Sequence, residues 1–193
     1  MRKIEILLIC LLGILFNIQA QSIKEYIQQN AVEIKSIDPE NEDYSDLEPL
    51  IKAIGDTRIV MLGEQTHGDA TAFVAKTRII KMLHEEMDFD VLVWESDFYG
   101  INKTWGKVEE IGVDSVMLNI FTNWTICKQL IPLFDYTKSE LKTEDPLIFS
   151  GCDSRHHGYY TKNNYVDDFE NLIKVNNSLF YNKEYKKFKP IFI

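Results

Sequence analysis

Positive charge is what this sequence is short of: 21 Lys and Arg stand against 30 Asp and Glu, a formal charge of -9. Gripping a phosphate backbone takes a concentration of basic side chains, so a nucleic-acid partner is excluded, and a neutral or cationic small molecule suits the sign better. Cysteine is scarce as well. Of the three, Cys10 lies in an N-terminal apolar run, which leaves Cys127 and Cys152. In so apolar a chain these read as buried small hydrophobes rather than a disulfide framework, and spacing does not decide whether they pair. No apolar run reaches the roughly 20 residues of a bilayer-spanning helix. Internal repeats and low-complexity tracts are absent.

Several motifs are missing one part each. The acidic stretch 38–43 lacks the ligand spacing and central glycine of a calcium loop and reads as a solvated connector. His84-Glu85-Glu86 has no second histidine four residues on, as a zinc helix requires, so His84 is expected to be an exposed helix residue. The His156-His157 pair reads as loop rather than as a ligand set. No Gly-Xaa-Ser-Xaa-Gly elbow occurs, and Cys152 has no activating context, which argues against both nucleophiles.

What is present is a globular composition, 45% hydrophobic and 26% charged, with room for one core and one domain. Arg2 and Lys3 lead into a mostly apolar run over 4–16, with Ala20 at a cleavage position. Residues 1–20 are therefore expected to be a secretory signal, the mature chain being exported, periplasmic or extracellular, with no stable membrane insertion.

From there the chain alternates. Ser22 caps a helix predicted over 22–37, and Asp46 is placed as the cap of a second carrying Leu47, Leu50, Ile51 and Ile54. Residues 58–62 form a short apolar run that predicts a strand, followed by Gly63-Glu64-Gln65-Thr66-His67-Gly68 and by a helix over 69–86 with apolar positions near a 3.6 period. A second strand is expected over 90–95, apolar without alternation as when both faces are covered. Helices follow over 100–111 and 125–141, a third strand over 146–150, and helix or loop from 163 to 189. The fold class is α/β: a three-layer-like, parallel or mostly parallel sheet in β-α-β-α-β order, flanked by helices, with additional N-terminal helices.

Parallel strands joined by right-handed crossovers put their carboxyl ends on one edge, where open α/β sheets bind ligands. Glu64 and His67, Glu95, and Cys152 with Asp153 come to that rim from separate stretches. His67 is suited to take a proton from water near neutral pH and return it to a leaving group, with Glu64 or Glu95 fixing its tautomer; capping the next helix is the alternative. Trp94 and Phe98 imply partial burial for Glu95, so a partner or a role rather than simple solvation. Lys76 and Arg78, on the following helix, contact either a carboxylate or oxyanion, or a surface partner. Trp94, Phe98 and Tyr99 are either core or an apolar substrate wall.

The ordered series Gly63-Glu64-Gln65-Thr66-His67-Gly68, Lys76-Thr77-Arg78, His84-Glu85-Glu86 and the 89–95 strand resembles the erythromycin esterase family, over about residues 46–153. A Glu-Xaa-Thr-His core with a further Glu twenty-eight residues after the histidine carries the resemblance. It implies an ester or lactone hydrolase, macrolide lactones included, in which His67 is the general base on water and Glu64 and Glu95 are the acidic catalytic positions. Lys76 stands where resistance enzymes of the family carry an arginine, keeping the charge without the planar fork. Lys76, Arg78 and Asp153 are the expected substrate contacts, no cofactor is expected, and the partner is a small ester or lactone. Two alternatives stay open: a divalent-metal hydrolase on the same rim, and a non-catalytic small-molecule-binding remnant. Family members are about twice as long, so a chain ending at Ile193 is expected to be a fragment or truncated product.

Overall fold

The computed structural model describes residues 22–63, 66 and 68–188. The proposed signal, residues 1–20, lies outside the described residues, as do Glu64 and His67. The chain divides into two compact units, Met1–Ile34 and Lys35–Ile193. No helix among the described residues is long and apolar enough to cross a membrane.

In the first unit, α1 (Ile23–Asn30) opens on a capping box. Ser22 Oγ accepts from the Glu25 N–H at 3.2 Å, and the Glu25 carboxylate accepts from the Ser22 N–H at 3.1 Å. Two orphan donors are thereby satisfied reciprocally. The helix ends at Asn30, short of the expected residue 37, and none of its residues is buried. Its apolar side chains Ile23, Tyr26 and Ile27 are exposed, and a helix this short has little beyond its cap to hold it when that face is not packed.

The second unit is broadly α/β. Its sequence order is α2 (Glu48–Ile54), α3 (Ala70–Met87), β1 (Val91–Asp97), α4 (Phe98–Trp105), α5 (Val108–Ile111), α6 (Val113–Met117), α7 (Thr122–Thr125), α8 (Ile131–Glu140), β2 (Ile148–Asp153) and α9 (Tyr159–Asn176), then short helical turns to Phe188. The described sheet has two strands, β1 and β2, paired in parallel with Val91 opposite Ile148 and Trp94 opposite Gly151.

Residues 58–62 do not form the expected strand. Their side chains do alternate: Ile59 and Met61 are 76% and 89% exposed, whereas Val60 and Leu62 are partly buried, Val60 against the smaller core and Leu62 against the larger. The expectation of a run buried on both faces is corrected, since only alternate residues are covered; apolarity alone does not say which faces meet a neighbour. It carries no information about a ladder, which needs a neighbouring edge to bond to.

The second strand also departs from expectation. Leu92 and Trp94 face the core, while Val91, Val93 and Glu95 are exposed, so only one face is covered. The larger core joins Phe73 and Ile80 of α3 to residues of α4 through α8 and to Phe149 of β2. Trp94 stacks on Phe134 with ring centroids 5.6 Å apart and meets the edge of Phe149; it is a core residue. The smaller core packs Met82 and Leu83 of α3 against Tyr44 and Leu47.

α3 begins on Asp69, whose carboxylate accepts from the Ala72 N–H at 3.2 Å, and ends on Asp88 in the left-handed region at φ 55°. Both are ordinary signals for the two ends of a helix. α2 starts differently. Leu47 occupies its cap position without a side-chain bond, because Asp46 is turned away to accept from the backbone of Lys35 and Ser36 and from Arg78. His84, expected at the surface, is 4% exposed, with Nδ1 2.6 Å from the Tyr136 hydroxyl. The 3.6 period locates a helix's main face but not the flanking positions that a second packed helix also covers.

Candidate functional site

The carboxyl ends of β1 and β2 meet at a β-bulge. Trp94 pairs with Gly151 and Asp97 with Asp153, so β1 spends one more residue than β2 over the same step. An extra residue breaks the in-out alternation. Ser96 and Asp97 are consequently both fully buried, and Glu95 before them remains exposed.

Those two buried side chains organise everything beyond the strand ends. Asp97 caps α4 through Oδ1, which accepts from the Gly100 N–H at 2.8 Å and from the Thr161 hydroxyl at 3.0 Å; its Oδ2 accepts from the Gly158 N–H at 2.7 Å. Ser96 Oγ accepts from the Phe121 N–H at 2.9 Å. Asn119, 1% exposed, donates to the Thr104 hydroxyl and accepts from the Tyr160 N–H. A buried carboxylate is tolerated when hydrogen bonds to its oxygens replace water. The network ties the turns after β1 and β2 to α6 and α9.

Glycine is required where these groups crowd. A Cβ on Gly151 would lie 2.6 Å from the Ser96 carbonyl oxygen, and one on Gly158 would lie 2.8 Å from Asn119 Oδ1.

On this base sits an accessible polar rim: Glu95, Asp153, Arg155, His157 and the ring of Phe121. Asp153 accepts from the Arg155 N–H at 2.9 Å and from its Nε at 2.6 Å, and also pairs with Nη2. These bonds hold the Asp153 carboxyl below the usual carboxylate range and raise the guanidinium, with the Glu95 charge adding to the latter. The guanidinium carbon lies 5.1 Å from the Phe121 ring centroid, and the His157 ring lies 4.1 Å from it, tilted by 32°. Neither His157 nitrogen has a hydrogen-bond partner among the described residues, and neither touches solvent.

The proposed site residues are therefore distributed unevenly. Glu95 and Asp153 share the rim, as the topology argument expected, although Glu95 is exposed rather than partly buried. Lys76 is partly buried on α3, its ammonium 5.3 Å from the Phe73 ring. Arg78 is elsewhere in function. It is 1% exposed and donates to the carbonyls of Ser36, Asn41 and Asp43 and to both oxygens of Asp46. With five donors and five bonds, it has none left for a ligand. Tyr99 donates its hydroxyl to Asp168 at 2.8 Å, and Phe98 is 56% exposed. No group of three or more His, Cys, Asp or Glu among the described residues is placed to hold a metal ion.

Sequence reasoning passed over Asp97, Ser96, Asn119, Arg155 and Phe121. Asp97 carried a usable signal, an Asp immediately before a helix with its carboxylate in reach of the N–H three residues on. Asn119 and Phe121 carried none, since only the folded chain brings them to the strand ends.

Fold and rim together define an α/β protein with its polar groups at the carboxyl edge of a parallel strand pair. The chain is 34% identical over 157 residues to a putative hydrolase, YbfO, of Bacillus subtilis (strain 168), covering 78% of this chain and 34% of that protein. It is 27% identical over 154 residues to an erythromycin esterase type II of Escherichia coli, covering 76% and 35%. The chain thus spans about a third of the length of the curated relatives it matches. Two crystal structures share its fold. A succinoglycan biosynthesis protein superposes with a TM-score of 0.65 at 21% identity, over 89% of this chain and 44% of that one. A Bacillus cereus protein gives a TM-score of 0.63 at 25% identity, over 86% and 40%. No family model matches the chain.

Proposed function

We propose that the chain belongs to a hydrolase, of the erythromycin esterase type, that uses water to open an ester or lactone. The observation that carries this reading is the similarity to YbfO. Glu64, His67 and Glu95 are the residues that sequence chemistry selects for acid-base work. The rim at the strand ends supports it as well, since open α/β sheets take their ligands there.

In the proposed reaction His67 removes a proton from water as the oxygen attacks the ester carbonyl, giving a tetrahedral oxyanion and an imidazolium. Collapse of that intermediate expels the alkoxide, which takes the proton back from His67, leaving acid and alcohol. Glu64 and Glu95 hold the ring tautomer and balance its transient charge. Lys76 supplies positive charge to the oxyanion, and Asp153 acts through Arg155, which it holds at the rim. Export by the leader is part of the same proposal.

The test is hydrolysis of p-nitrophenyl butyrate and of erythromycin by the chain and by His67→Ala. Loss of the base should lower kcat by about 10²-fold or more, and undiminished turnover in the variant would remove His67 from the mechanism. Saturable binding of either compound without turnover would instead support a non-catalytic binding protein.

A further inference from the structure

His157 is the one rim residue whose surroundings do not account for it. A neutral imidazole carries one N–H and one lone pair, and both of its nitrogens lie buried without a partner among the described residues. Leaving a buried donor or acceptor unpaired is costly, whereas an apolar side chain of similar shape would carry no such penalty. The neighbourhood is otherwise well satisfied. Gly158, next in sequence, donates to Asp97; Arg155, two residues earlier, is paired with Asp153. The face of the His157 ring rests on Phe121, which a leucine or phenylalanine would do as well. What distinguishes histidine here is hydrogen-bonding capacity that the described residues do not use.

Building on the hydrolase reading, we propose that His157 is a ligand-binding residue of the rim, whose imidazole hydrogen-bonds the carbonyl or carboxylate oxygen of an ester substrate or its product acid beside the Arg155 guanidinium. Position and chemistry converge on that class of ligand. The ring lies in the turn that leaves the carboxyl end of β2, and Arg155, a planar fork suited to carboxylates, shares the Phe121 ring with it. The side chain of Arg155 is 64% exposed, and Asp153 is its only ion-pair partner among the described residues. Because the His157 nitrogens do not touch solvent, a ligand reaches them through a local opening of residues 154–157, which lie outside helix and strand. The unpaired nitrogens are then stability given up for binding, a trade recurrent at functional sites.

The trade makes the proposal testable apart from turnover. With only four histidines, the imidazole ¹⁵N signals of the wild-type chain can be assigned by His156→Gln and His157→Gln. Titration with sodium butyrate should shift the His157 signals saturably. Removing the unpaired nitrogens in His157→Leu should raise Tm by about 2–4 °C while weakening butyrate binding about tenfold, and His157→Gln, which keeps a donor, should recover part of the binding. A fall in Tm for His157→Leu would show that the imidazole is a structural hydrogen-bonding group, and unmoved His157 signals at saturating butyrate would show that it does not meet the ligand. Either result overturns the proposal. If the wild-type chain binds butyrate through His157 yet hydrolyses no p-nitrophenyl butyrate, the hydrolase reading fails and the binding site stands.

Discussion

Five donors on Arg78 meet five acceptors drawn from residues 36–46, and that one side chain does for the connector what a strand or helix ladder would otherwise do. A long polar loop has few backbone bonds of its own, so its carbonyls need a donor from elsewhere. Arg78→Ala leaves the Asp46 carboxylate buried without its charge partner, a change worth about 3–5 kcal/mol in comparable pairs; chemical denaturation would measure it. The bonds from Arg78 hold the Asp46 carboxyl far below the ordinary range, against the opposing effect of burial. The sign follows from that depression. A carboxylate with a folded pKa below its unfolded value of about 3.9 contributes stability above that value and loses it as pH falls toward the folded pKa. Wild-type Tm should therefore drop steeply below about pH 4, and Arg78→Ala should show a shallower acid limb. Equal acid limbs in the two proteins would mean that Asp46 is not the linked group.

At the scale of elements, the decisive feature is the bulge that ends β1. One extra residue turns Ser96 and Asp97 inward together, and Asp97 then joins the start of α4 to the start of α9. Close approach of the two strands at this point depends on Gly151. A methyl group there would meet the Ser96 carbonyl, which is backbone and has little room to yield. Gly151→Ala should cost about 1–3 kcal/mol by overpacking, read as a lower Tm. A parallel loss of whatever ligand the rim binds should accompany it, because Asp153 and Arg155 follow directly along the chain. An unchanged Tm would show that the strands separate freely and that the bulge does not hold the rim in place.

For the molecule as a whole, the proposed chemistry needs no metal: an imidazole base and two carboxylates suffice to move the proton. Hydrolysis of p-nitrophenyl butyrate should accordingly survive exhaustive dialysis against a chelator, and activity lost to the chelator and restored by a divalent ion would transfer the reading to a metal-dependent hydrolase on the same rim. Much of this architecture was legible beforehand. The cap Ser22, the helical stripe of α3 and the two apolar runs that became β1 and β2 each report a local preference, and local preference is written in consecutive residues. The site was legible in part, since strand ends in an α/β chain predict where polar residues gather, and Glu95 and Asp153 do gather there.

Sequence by itself determined the long helix α3, the two apolar runs that pair in parallel, the acidic charge and the choice of Glu64, His67 and Glu95 as candidates, because each rests on residue type and spacing alone. Only the tertiary structure decided that residues 58–62 pack without a ladder, that Arg78 and His84 are enclosed, and that Asn119 and Phe121 stand at the strand ends. Those outcomes turn on which surfaces meet after the chain has folded. Spacing fixes the direction of a side chain relative to its own element, but whether that direction holds water, core or a binding rim depends on elements tens of residues away.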